Sequence, residues 1–378
     1  MSEYQYVAFR ATDAPVSAKN MEFMEDQSSR ADITPWSFEN EYHFGDFHGD
    51  ADEMLRRGYD IHLHYANFGI RRIAIRFRRT PPILQRAKNY LDGEGVRFAK
   101  DKKGTGGILC IEPQYEPGWL EDYFGDLGEL IDRLRPLRDE ILTGDLRPFY
   151  LAALAARMDM EHDPSEETEP PVPAGMGKLT DAQRALADFY DIGDYVIDAA
   201  AQLSSPLPKM ADSAAGYERW LTDQTTSQKE TWLHQVMCGQ GADVRGEMLQ
   251  RYQASTDMVV WPTAESSRTI AELREEAEKL YEAYQKKEVQ KREASLLKRR
   301  AEMAADPKPT LELIDQLVAE RSSKSYGKAA ELLSELRTAL ASSRQSSLAQ
   351  NHALKLVKAN PTLNILKAEL KRRDFMTK

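Results

Sequence analysis

Residues Tyr59–Arg78 read YDIHLHYANFGIRRIAIRFR, and the division of this stretch between helix and strand sets the size of any sheet. The second half is clear. Ile73, Ile75 and Phe77 alternate with Arg72, Arg76 and Arg78, and a period of two predicts a strand with its apolar side inward. The first half has two readings. As a strand, Tyr59, Ile61, Leu63 and Tyr65 line one face and Asp60, His62 and His64 the other. As a helix, Leu55, Tyr59, His62, Leu63 and Ala66 form one stripe. Asn67-Phe68-Gly69 reads as a helix stop, and the helix is favoured over 59–66. Gly58 opposes it, since a mid-helix glycine costs roughly 1 kcal/mol relative to alanine.

Working outward, Tyr4–Arg10 has strand composition. A helical pattern runs from Pro15 to about Gln27 with Met21 and Met24 on one face. Ile33–Phe44 reads as extended, because Trp36, Phe38, Tyr42 and Phe44 are spaced by even numbers. Asp50 can cap a helix beginning at Ala51. A helix over Pro82–Leu91 precedes strands at Val96–Ala99 and Ile108–Ile111, joined by a Lys-Gly turn. The order β-α-β-α-β-α-β-β predicts an α+β fold. Residues 1–115 would form a mixed α/β sandwich, with a ferredoxin-like arrangement the nearest type and helices on one sheet face.

From Trp119 onward no strand pattern appears. A helical extension is expected over 116–160, with helices at Leu127–Leu142 and Leu146–Met160. Residues 161–177, EHDPSEETEPPVPAGMG, are acidic and then proline-rich, as a linker would be. A helical domain follows over 178–263. Residues 264–305 form one long charged helix without Pro or Gly until Pro307. Ile270, Leu273, Ala277, Leu280 and Tyr284 keep helical apolar spacing, and the same register then meets Lys287, Lys291 and Lys298. The helix therefore begins amphipathic and ends solvated. Basic helices fill 306–378.

Composition bounds the class. The 378 residues are 41% hydrophobic and 30% charged, typical of a globular chain of more than one domain. No apolar run is long enough to span a bilayer, so no membrane partner is expected. The first residues lack the basic and apolar regions of a signal peptide. Cys110 and Cys238 are the only cysteines, and both read as small buried hydrophobes in a reducing compartment. The cytoplasm of a bacterium is the expected location. Net charge is −10, unevenly spread. Residues 284–378 carry 20 Lys+Arg against 11 Asp+Glu, and residues 1–283 carry 31 against 50. The larger part disfavours nucleic acid and favours basic partners, and the smaller part does the reverse.

The densest chemistry lies at Ile33–Asp52. Trp36, Phe38, Glu39, Glu41, Tyr42, Asp46, Phe47 and Asp50 are the candidate binding residues there. His43, Asp46, His48, Asp50 and His62 are a candidate metal set, since imidazole and carboxylate together suit Zn, Fe or Mn. No HExxH or cysteine ligand accompanies them, and no cofactor is expected. The block reads equally as an aromatic strand, a Gly-Asp turn and a capped helix. Nucleic acid has two candidate sites. One is Arg71, Arg72, Arg76, Arg78 and Arg79, otherwise the solvated face of a sheet. The other is Lys286, Lys287, Lys291, Arg292, Lys298, Arg299, Arg300, Lys371, Arg372 and Arg373, which could neutralise phosphates. The turn at Lys103–Gly107 lacks P-loop spacing, and no Gly-x-Ser-x-Gly elbow occurs.

Four motifs, SEYQYVAF at Ser2–Phe9, ITPxSFxNxY at Ile33–Tyr42, GDFxGD at Gly45–Asp50 and ANxGxRR at Ala66–Arg72, resemble those of an uncharacterised bacterial protein family. The stretch Leu356–Phe375 resembles the terminal helices of bacterial proteins that accompany zinc-binding SWIM modules, without their zinc motif. The resemblance implies no activity, and it leaves His48, His62 and His64 outside the shared motif. The expectation is therefore a non-enzymatic regulatory protein whose acidic body holds a basic DNA-binding or transcription factor. An accessory place in an antiviral or CRISPR-associated system fits such a protein. A nucleic-acid accessory and a metal-dependent enzyme are the alternatives.

Overall fold

The computed structural model describes residues 4–43, 45–113, 127–158, 163–207, 213–238, 241–255 and 262–376. Its contacts divide the chain into two compact units, Met1–Tyr281 and Glu282–Lys378. Phe44 and the first residues beyond Trp119, named above, lie outside the described residues, as do 159–162.

The first unit is built on strands β1 (Gln5–Arg10), β2 (Asp32–Ile33), β3 (Ser37–Tyr42), β4 (Ile61–Ala66), β5 (Ile70–Phe77), β6 (Val96–Lys100) and β7 (Gly107–Ile111). They form one sheet in the order β2-β3-β1-β4-β5-β7-β6, with every neighbouring pair antiparallel. The α+β class is as expected. The stretch 59–66 is not a helix. It is the central strand β4, paired with β1 through Leu63↔Ala8 and with β5 through Leu63↔Ile73. Its alternation of Ile61, Leu63 and Tyr65 with His62 and His64 is that of a strand, with His62 and Leu63 both fully buried on opposite faces; the competing helical stripe and the Asn67-Phe68-Gly69 stop favoured the helix.

Both sheet faces are covered, which corrects the one-sided, ferredoxin-like arrangement. Val7, Phe9, Ala74 and Ile108 face helices α1 (Ala18–Glu25) and α2 (Ala51–Arg57) in one core, with Met24, Met54, Leu55 and Tyr59. Tyr6, Ala8, Leu63, Ile73, Ile75 and Leu109 face the opposite core, built with α3 (Leu127–Leu134), α4 (Leu137–Leu142), α5 (Arg147–Arg157), α6 (Asp181–Phe189) and α7 (Asp194–Ala201). The expected helix at Pro82–Leu91 is two short 3-10 turns.

The expected linker is packed over 169–176. Val172–Pro173 (β8) pairs with Thr263–Ala264 (β9). Glu169 is fully buried, accepts from the Tyr150 hydroxyl at 2.5 Å and pairs with Arg268. A buried carboxylate needs such partners, and they were not visible in a Pro-rich composition. Helices α8 (Ser213–Asp223), α9 (Thr226–Met237) and α10 (Gly241–Ser255) complete this region.

Helix α11 (Ile270–Ala305) starts in the first unit, where Ile270 and Leu273 are buried, and ends in the second. The second unit adds α12 (Lys308–Ala319), α13 (Ser323–Leu340), α14 (Leu348–Ala359) and α15 (Asn364–Arg372). Their core holds Ile314, Leu333, Leu336, Leu340, Leu366, Leu370 and Phe375. No helix among the described residues is long and apolar enough to cross a membrane.

Candidate functional site

Most of the aromatic–acidic block holds the fold together. Phe38 is fully buried and meets Phe9 edge-on at 5.5 Å between ring centroids. Tyr42 is buried with its hydroxyl 3.3 Å from Ser28. Phe47 lies against Phe9, Phe38, Tyr42 and His64. A Cβ at Gly49 would stand 2.5 Å from the Phe47 ring, so that ring position requires glycine. Asp50 accepts from the Glu53 amide at 2.9 Å and caps α2. Asp46 accepts from Gln5 at 2.6 Å, and Glu39 from Arg10 at 2.7 Å. Trp36, 49% exposed, and Glu41 remain at the surface.

The metal set does not come together. His43 is exposed, 3.7 Å from Glu41 and packed on Tyr4. His48 is exposed, and Asp46 and Asp50 are engaged as above. His62 lies inside the sheet layer, stacked on Phe9 at 4.1 Å, with Nδ1 3.1 Å from the Ala8 carbonyl. Among the described residues no three His, Cys, Asp or Glu are placed to hold a metal ion.

Strand β4 brings a group of polar side chains together on one sheet face. On the α1–α2 side, the register sets His64 beside Arg72 and Ala74 beside Cys110, with Arg97 opposite Cys110. His64 Nε2 lies 3.0 Å from Gln5 Oε1. Arg72 donates to Asp52 at 2.5 Å, and Arg97 donates to Glu112 at 2.9 Å. Cys110 Sγ is 3.5 Å from Glu112. Burial first, and the Arg72 guanidinium second, push His64 down to about 4. Burial, then Arg72, then His64 hold His62 well below the ordinary histidine range. Burial raises the Cys110 thiol to about 11, so it stays protonated near neutral pH. These groups form a polar layer under α2: neutral imidazoles, a protonated thiol and carboxylates engaged with guanidiniums. Reading 59–66 as a strand would have put 62, 64, 72 and 110 on one face. Cys238, expected buried, is exposed beside His234 at 3.8 Å.

The strand arginines are mostly engaged. Arg71 pairs with Asp191, Arg72 with Asp52, and Arg76 with Asp101 at 2.8 Å. Arg79 is 3.7 Å from Glu247. The C-terminal cations differ. On α11 every residue from 282 to 300 except Glu288 is exposed. Lys291 pairs with Glu288 at 2.6 Å and Arg299 with Glu335 at 2.9 Å. Among the described residues Lys286, Lys287, Arg292, Lys298 and Arg300 have no acidic partner within 4 Å. Lys371 is exposed on α15, where Arg372 and Arg373 both pair with Glu369.

Compared with protein-family models, curated proteins and solved structures, the chain matches none.

Proposed function

We propose that the chain is a non-enzymatic interaction protein of the bacterial cytoplasm. Its first unit would bind a basic macromolecular partner of the kind a DNA-binding or transcription factor presents. The observation that carries this reading is an acidic, open sheet edge. β2 pairs with β3 at Phe38 and Glu39, and among the described residues no strand lies on the outer side of 40–42. Exposed Asp32 and Glu41 belong to that edge and exposed Glu22, Glu25 and Asp26 to α1 and its end, and among the described residues none has an Arg or Lys partner within 4 Å. Trp36 is exposed at the same edge. An extended basic segment can add to such a strand through main-chain hydrogen bonds, with the acids selecting it and the indole anchoring it. Charge would speed and select the encounter more than tighten it. The unit carries 31 Lys+Arg against 49 Asp+Glu, so its wider field favours the same partner. Holding a DNA-binding segment there would keep it from DNA.

The test is affinity capture from the native host with the full chain and with a variant combining Trp36→Ala, Glu22→Gln, Glu25→Gln and Glu41→Gln. A basic protein held by the wild type and lost by the variant supports the reading. Equal capture by both ends it.

A second reading, nucleic-acid binding, has its own observation in the unpaired cations of α11. Labelled duplex DNA or RNA, titrated at low salt, tests it. Retention should fall steeply as salt rises, and no retention at low salt excludes it.

A further inference from the structure

We propose that the first unit also binds a small phosphate ester in an arginine-lined cavity at the end of β5, apart from the acidic edge. The cavity, about 390 Å³, lies between the start of α1, the end of α2 and the last residues of β5. Its size is that of a small-molecule pocket, but its lining is cationic. Arg56, Arg57, Arg76 and Arg78 face Asn20 and a single acid, Asp60. Four guanidiniums on one cavity are unexpected in a unit whose net charge is strongly negative.

Three of the four are held in place. Arg76 donates to Asp101 at 2.8 Å and to the Phe77 and Gly107 carbonyls at 3.0 Å. Arg56 lies 3.5 Å from Asp101, and Arg57 donates to Glu53 at 2.8 Å while stacking on Phe23. Arg78 is different. Among the described residues it has no hydrogen bond or ion pair, and its Nε is buried. A buried donor without an acceptor is costly, and a phosphoryl oxygen would satisfy it with the bidentate geometry that guanidinium supplies.

Asp60 supplies the complementary half. It is 1% exposed, and its Oδ2 accepts from the Thr12 and Asp13 amides at 2.7 and 3.3 Å. Its Oδ1 is buried without a hydrogen-bond partner, with Arg138 no closer than 3.9 Å. An acceptor and a cationic donor that both lack hydrogen bonds, on two residues lining one cavity, suit a ligand carrying both an anion and a donor. A phosphate monoester bearing hydroxyl groups has both. The partly enclosed shape favours it over a polyanion, which would lie along an open surface.

Calorimetric titration of the full chain in phosphate-free buffer tests this assignment. The probes are inorganic phosphate, pyrophosphate, a hexose 6-phosphate, adenosine monophosphate and sulfate. We expect at least one ester to saturate and to bind more tightly than sulfate. Arg78→Gln should weaken that ester about tenfold or more without lowering the thermal midpoint. Asp60→Asn should weaken the ester more than it weakens inorganic phosphate. Arg57→Gln, at the more exposed position, serves as the second cationic variant if Asp60→Asn folds poorly. The preferred ester separates a sugar phosphate from a nucleotide. Absence of saturation by about 10 mM, a Kd near the weakest useful limit, would overturn the proposal. So would sulfate binding as tightly as the esters, or full affinity in both Arg78→Gln and Arg57→Gln. Because none of these variants touches the β3 edge, failure here leaves the partner-binding reading intact, and the reverse also holds.

Discussion

The block at Ile33–Asp52 and the stretch 282–300 of α11 are both crowded with functional-looking side chains, and they use them in opposite ways. In the block, Phe38, Tyr42 and Phe47 are packed, and Glu39, Asp46 and Asp50 each accept a hydrogen bond from a specific donor. Over residues 282–300 of α11, seven Lys+Arg stand against three acids, and nearly all are solvated. Residue type was therefore a poor guide to availability. A carboxylate beside a turn or an arginine finds a local partner, whereas among the described residues Lys286, Lys287 and Lys298 have no acid within 4 Å.

The largest effect expected from breaking this contrast is at Phe38. Phe38→Ala removes a fully buried ring from the Phe9–Phe47 cluster, and a loss of about 3–5 kcal/mol from the first unit is expected. Urea unfolding followed by hydrogen exchange in β1–β4 measures it, and a loss below about 1 kcal/mol would mean that the cluster is loosely packed.

Next comes the polar layer. Unfolded histidine titrates near 6.5, whereas His64 is held at about 4. Its folded pKa is depressed, so the unfolded chain takes up the extra proton as pH falls. Stability from this group is complete above about 6.5 and is lost as pH drops from there through about 4. His62 acts in the same direction. His64→Gln should reduce the stability lost between pH 7 and 4.5 by on the order of 2 kcal/mol. Parallel acid-unfolding curves for wild type and variant would sink this account of the layer.

Smaller still is the cap. Asp50→Ala should cost about 1 kcal/mol, seen as a lower thermal midpoint that Asp50→Ser largely restores. The smallest change in stability is expected on α11. Replacing Lys286, Lys287, Arg292, Lys298 and Arg300 together by Gln should move stability by less than about 0.5 kcal/mol, while removing any binding to duplex DNA at low salt. A large loss of stability would show that those cations hold the fold.

Much of the architecture could be read from the sequence, and the misses share a cause. Strand β5 was legible because Ile73, Ile75 and Phe77 alternate with charge. The helices of the second unit were legible from their apolar spacing and from the breaks at Pro307 and Pro361. β4 was legible only as one of two readings, because Ile61, Leu63 and Tyr65 alternate with His62 and His64 while Leu55, Tyr59, His62, Leu63 and Ala66 also fit a helical stripe. His62 is buried as deeply as Leu63, which the alternation alone does not reveal. The packing of 169–176 was missed because its acid Glu169 is satisfied by Arg268, 99 residues away. The arginine cavity was missed for the same reason: Arg56, Arg57, Arg76 and Arg78 meet only once α2 and β5 are placed. Of the eight candidate binding residues, Trp36 and Glu41 lie at the surface, and the other six are engaged within the fold.

The central claim is that the free acids and indole at the β2–β3 edge recruit a basic protein. Affinity capture with the full chain, set against the Trp36→Ala, Glu22→Gln, Glu25→Gln, Glu41→Gln variant, tests it most directly. The account predicts one basic protein recovered in near-equimolar amount with the wild type. That protein should be lost from the variant and released at about 0.5 M salt, where the screening length falls below the reach of surface charges. Capture of no basic protein above the variant's background would contradict it.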